Sequence, residues 1–88
     1  MTYRVIFDGS GTWLMVPEAE VEASGIKVTK RSRIKDGMVY LSDLNESLAF
    51  ATYYQEETGY ALNATVELDP KANVLSNEVE YPRYHGNR

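Results

Sequence analysis

Residues 37–58 read Gly-Met-Val-Tyr-Leu-Ser-Asp-Leu-Asn-Glu-Ser-Leu-Ala-Phe-Ala-Thr-Tyr-Tyr-Gln-Glu-Glu-Thr, a strand that turns directly into a helix. Met38, Val39, Tyr40 and Leu41 are all apolar or aromatic, the composition of a strand buried on both faces. Asp43 then offers a carboxylate to the free amides of a first helical turn, and Glu46 three residues later completes a capping box. Leu44, Leu48, Ala51, Gln55 and Thr58 recur at spacings of three and four, which predicts that this side of the helix meets the sheet. On that reading Leu48 is core, and its truncation costs about 2–4 kcal/mol. Gly59 is placed to end the helix in a left-handed conformation.

Outward from this pair the chain divides into short elements. Residues 3–8 alternate as a strand, and Gly9-Ser10-Gly11 breaks it. Residues 12–16 either resume as a strand or pass over the surface, with Trp13 as an anchor for the loop. Pro17 suits the first position of a short helix whose Glu18, Glu20 and Glu22 complement the positive end of its dipole, and Gly25 closes it. Residues 26–34 read as a strand from the shared parity of Ile26, Val28, Lys30 and Ile34, and Asp36-Gly37 turns the chain. Leu62, Ala64, Val66 and Leu68 alternate with polar partners across residues 60–68, describing a strand with one buried and one wet face. Residues 78–81 read as a last strand closed by Pro82. The expected architecture is α+β: one small sheet of four or five strands, a main helix over residues 44–58 packed on it, and a short helix over residues 17–24. Residues 1–82 form a single domain, and residues 83–88 a flexible tail.

Composition narrows the function classes. The chain has 88 residues, so folding buries roughly 60–65% of the unfolded surface and little is left for an elaborate active site. It has no cysteine, hence no disulfide framework, thiolate metal site or cysteine nucleophile. Its amino-terminal apolar run is too short for a signal peptide or membrane span, so a cytoplasmic protein without a membrane partner is expected. A formal net charge of −4 disfavours broad adhesion to nucleic acid, which is driven by basic residues displacing counterions.

Against that acidic background Lys27, Lys30, Arg31, Arg33 and Lys35 fall within nine positions with no acid among them. Such a run suits a phosphate or the acidic face of a partner, and it equally suits a solvated loop or an edge strand protected by charge. The seven tyrosines exceed what so small a core buries, and exposed tyrosines such as Tyr53 and Tyr54 supply contact area at low entropic cost. Direct binding of RNA or DNA by the basic run with stacking tyrosines has the right ingredients but the wrong overall charge. No metal site is expected, because the carboxylates are scattered. His85, the only histidine, sits in the expected tail, and no serine has a positioned histidine base.

The order of elements also resembles a known superfamily. A first strand, a short helix closing on Ser-Gly-Ile, a strand ending Val-Tyr-Leu-Ser-Asp, a helix rich in alanine and aromatics, a strand ending Leu-Asp-Pro and a final Asn-Glu-Val-Glu-Tyr-Pro-Arg are similar to the ADP-ribosyltransferase-like superfamily, whose fold RNA 2′-phosphotransferases share. The resemblance implies an NAD-binding cleft between two half-sheets. It places Arg4 as the basic residue of the first strand, Tyr40 or Ser42 as the middle-strand residue, and Glu78 or Glu80 as the acid near a later strand. Physically, a buried carboxylate such as Glu80 would stabilise an oxocarbenium-like centre while Arg4 gripped a pyrophosphate. The structural alternatives are that Arg4 pairs with Glu78 or Glu80 across the sheet and that Tyr40 is simply core.

The sequence is therefore read as a small acidic protein-binding module of inhibitor or adaptor type on a reduced ADP-ribosyltransferase-like core, without chemistry or cofactor, whose partner is another protein. The alternative is a minimal NAD-dependent transferase using Arg4, Tyr40, Ser42, Glu78 and Glu80.

Overall fold

The computed structural model describes residues 2–42 and 44–85. It has one mixed five-stranded sheet and two helices, an α+β fold: β1 (Thr2–Phe7), β2 (Thr12–Pro17), α1 (Glu18–Ser24), β3 (Arg33–Lys35), β4 (Met38–Leu41), α2 (Leu44–Thr58) and β5 (Asn63–Leu68). The strand order is β3-β4-β2-β1-β5, antiparallel throughout except for the parallel pair β1 and β5. Two hairpins build the antiparallel part. Between β3 and β4 the turn is Asp36 and Gly37, both left-handed at φ 51° and 77°, the two-residue geometry whose twist matches the flanking strands. The parallel strand β5 is reached through α2, as a parallel return requires a crossover.

Each face of the sheet has its own core. On one, Tyr3, Leu14, Val16, Val39, Leu41 and Ile34 meet the two helices through Val21 and Phe50. On the other, Ile6, Trp13, Met15 and Tyr40 are covered by the chain after β5, chiefly Ala72, Val74 and Tyr81. Of the two readings for residues 12–16 the strand holds: β2 is central and buried from Trp13 to Val16.

Several expectations are corrected. Pro17 stays paired with Met38 at the end of β2 and serves as the N-cap, so α1 starts one residue later, and Gly25 closes it in the left-handed region as expected. Of residues 26–34 only the last two join a strand. A local turn in which the Arg31 amide donates to Thr29 Oγ1 and the Ser32 amide to the Thr29 carbonyl diverts the chain, as Ser and Thr do when they bond their own backbone. Residues 78–81 are not a strand either. Asn77 accepts the Glu80 amide on its side chain and the Tyr81 amide on its carbonyl, which curls the segment. Arg83 and Tyr84, expected in the tail, belong to the fold: Arg83 bridges to Arg33, and the Tyr84 amide donates to the Ser32 carbonyl with its ring buried. The rest of the expected tail, residues 86–88, lies outside the described residues, as does the expected cap Asp43.

The largest correction concerns the docking side of α2. Phe50 and Glu46, not the Leu44–Leu48–Ala51 stripe, are its buried residues. Phe50 meets Tyr3 edge to face with ring centroids 5.5 Å apart, Tyr54 meets Tyr3 the same way, and Tyr53 tilts against Phe50. An aromatic ring buries more area than a leucine, and this cluster adds edge-to-face attraction. Glu46 follows it inward, with Oε1 accepting the Ser32 hydroxyl at 2.6 Å. The helix is consequently rolled so that its leucines sit at its flank, and Leu48 is not core.

Candidate functional site

That roll leaves two patterned apolar faces uncovered side by side. Leu44 and Leu48 on α2 are 72% and 56% exposed, and Val66 and Leu68 on β5 are 65% and 83% exposed. The register pairs Tyr3 with Ala64, Val5 with Val66 and Phe7 with Leu68, so these β5 side chains share the face on which α2 lies. Alternation along β5 is as the sequence predicts, but α2 covers only the middle of the sheet and stops short of this edge. Between helix and edge runs a groove of ≈ 570 Å³, floored by Val5, Leu14 and Ala64 and walled by Leu44, Leu48 and Ala51. The free edge of β5 borders it, with one charged residue, Glu67, which Arg4 engages through two hydrogen bonds at 2.7 and 2.9 Å.

The residues assigned by resemblance occupy different places. Arg4 and Tyr40 both lie opposite Met15 and thus share the face away from the helices. Arg4 pairs with Glu67, not with Glu78 or Glu80. Tyr40 is buried and stacks edge to face on Tyr81; burial and Tyr81 push its phenol up, against the pull of Lys35 and Arg4. Glu80 is held by Lys35 at 3.0 Å and by Asn77, which draws its carboxyl below the usual range, Lys35 contributing most. Glu78 is drawn down by Arg33 and Arg83, both 3.2 Å away. Ser42 lines the groove on the helical face, its amide donating weakly to Ser32 Oγ. Arg4 and Glu80 are each committed to another side chain, and Ser42 stands apart from Tyr40.

The basic run also splits. Arg33 is buried and structural, bonded to Glu78 and to the Leu75 carbonyl. Lys35 lies over the Tyr81 ring and holds Glu80. Lys27, Lys30 and Arg31 remain exposed, at the end of the sheet opposite the groove. Tyr53 and Tyr54 are half-buried against the aromatic cluster, while Tyr60 is exposed. Among the described residues no group of three His, Asp or Glu is placed to hold a metal ion, and no helix is long and apolar enough to cross a membrane.

The groove was not singled out from sequence, although its signal was there. Two apolar periodicities, one helical and one of strand type, each claimed a core that a chain of this length cannot supply to both. No protein-family model matches the chain, and no curated protein or solved structure is significantly similar to it.

Proposed function

We propose that this chain is a small acidic protein-binding module of inhibitor or adaptor type, non-catalytic and cofactor-free, on a reduced ADP-ribosyltransferase-like core in the cytoplasm. The observation that carries the binding function is the uncovered groove. Leu44 and Leu48 of α2 line one concavity with Val5 and Leu14 of the sheet, Val66 and Leu68 lie exposed on the same face of the sheet, and contiguous exposed apolar surface of this kind marks interaction sites. Burying each of them on a partner yields about 1.5–3 kcal/mol, enough together to offset the cost of association. The transferase alternative needs Arg4 and Glu80 to turn to one ligand, whereas each is engaged elsewhere. That supports a module without chemistry. The element order is what supports the choice of core.

The test is affinity capture from the native host followed by mass spectrometry, with wild-type bait beside Leu48→Gln and Val66→Gln baits. The proposal expects a protein retained by the wild type and lost from both variants at unchanged fold. Partners retained equally by all three baits would sink it.

A further inference from the structure

We infer that the occupant of the groove is a basic amphipathic helix of a partner protein, with apolar residues turned to Leu44, Leu48 and Ala51 and lysine or arginine on its flank. The inference rests on the binding reading above and adds the shape and charge of the partner.

Shape comes from the layer the groove occupies. Its floor is the sheet and one wall is α2, so the unfilled space lies beside α2 in the helical layer, above β1 and β5. A helix packed there runs along α2 at an interaxial distance of about 8–10 Å. Ser47, Ala51 and Ala64 line the space with small side chains, which permits that approach. From Leu44 to Ala51 the wall spans about 11 Å, two helical turns of contact.

Charge comes from the chain that builds the groove. Residues 36–70, which supply β4, α2 and β5, contain seven acids and no Lys, Arg or His; Glu46 is buried against Ser32 and Glu67 lies on the opposite face with Arg4, which leaves Glu56 and Glu57 as the exposed carboxylates of α2. The last turn of α2 has no basic residue and carries Glu56 and Glu57, neither of which is in an ion pair among the described residues. Carboxylates there stand at the negative end of the helix dipole, an arrangement unfavourable in the isolated chain and relieved by an incoming cation. The nearest basic residue on β1, Arg4, lies on the opposite face and is tied to Glu67. A second copy of the chain does not meet this need. Among the exposed cations of the described residues, Lys27, Lys30 and Arg31 lie in the chain leading to β3 at the far edge of the sheet, Arg4 and Arg83 are held in ion pairs, and Lys71 just past β5 is the single lysine left near the groove.

The test uses two designed helical peptides of about 14 residues, roughly four turns, sharing one leucine stripe and carrying either lysine or glutamate on the polar face. Each is titrated into the ¹⁵N-labelled full chain, with amide shifts as readout, and sedimentation velocity reports the oligomeric state. Expected is lysine-peptide binding that shifts residues 44–51 and 62–66, is about tenfold tighter than that of the glutamate peptide, and weakens as salt rises. Leu48→Gln, an exposed position, should weaken it about tenfold, and Glu56→Gln with Glu57→Gln should narrow the preference between the peptides. Equal binding of both peptides in the groove would overturn the basic partner while leaving a protein-binding module. Lysine-peptide shifts outside the groove, or indifferent to Leu48→Gln, would overturn the inference as well. A dimer that Leu48→Gln dissociates would name a second copy as the occupant instead. A monomer whose groove takes neither peptide would overturn both the inference and the binding reading.

Discussion

Asp8 and Val74, 66 positions apart, are joined by a hydrogen bond in which the Val74 amide donates to Asp8 Oδ2 at 2.6 Å. The other carboxylate oxygen accepts from Ser10 Oγ, the Ser10 and Gly11 amides and Trp13 Nε1. One buried carboxylate thus closes the β1–β2 turn, fixes the only tryptophan and pins the segment that covers the second face of the sheet. Burial by itself pushes this carboxyl up, but the donors from Val74, Ser10 and Trp13 outweigh it and leave it below its ordinary value.

Asp8→Ala removes the acceptor for all of these donors, two of them inside the core. It should cost about 2–4 kcal/mol, since hydrogen bonds to a charged group are worth about 1.5–3 kcal/mol and the orphaned donors add desolvation. A urea midpoint within error of wild type would contradict this.

The same carboxylate sets an acid limit. Because its folded pKa is depressed, the stability it contributes is fully present above the unfolded value of about 3.9 and is lost as pH falls towards the folded value. Glu78 and Glu80, drawn down by their basic partners, act in the same direction at the exposed surface. Thermal melts from pH 6 to pH 2.5 should show a loss that Asp8→Asn makes shallower. An unchanged slope would show that Asp8 does not govern it.

Phe50 and Leu48 should separate sharply. Phe50→Ala empties the aromatic cluster against Tyr3 and should cost about 3–5 kcal/mol. Leu48→Ala, at an exposed flank, should stay within about 0.5 kcal/mol. Comparable losses in denaturant would mean that α2 docks through its leucines.

The basic run should divide in the same experiment. Arg33→Ala empties a buried guanidinium site and leaves the Leu75 carbonyl without that donor, while the exposed Glu78 keeps Arg83, and should cost about 1–3 kcal/mol. Arg31→Glu, on an exposed side chain, should leave the midpoint in place. If Arg33→Ala unfolds at the wild-type midpoint, the buried guanidinium is not structural.

Millimolar NAD should neither raise the melting temperature nor release nicotinamide on incubation, because a ligand bound well above its dissociation constant must stabilise by mass action. NAD-dependent stabilisation that vanishes in Arg4→Ala and Glu80→Gln, with the fold retained, would promote the transferase reading.

Local signals alone determined much of this protein. The β4-to-α2 junction, the Asp36-Gly37 turn, the Gly25 stop and the alternation of β5 are short-range effects of backbone geometry and side-chain spacing, and they are readable residue by residue. Tertiary structure decided which apolar face each element buries. Two faces competed for the helix, and Phe50 with its tyrosine neighbours won because they meet Tyr3 across 47 positions of chain, a contact no local window contains. It also decided that Asp8 is a hub, since one of its donors arrives from Val74. Arg33 and Lys35 look like members of a surface cluster until Glu78 and Glu80 fold back on them. The groove follows from the same competition. An area-driven core of limited size takes the larger rings, and the leucine stripe of α2 and the aliphatic face of β5 are left facing one another across space that a partner can fill.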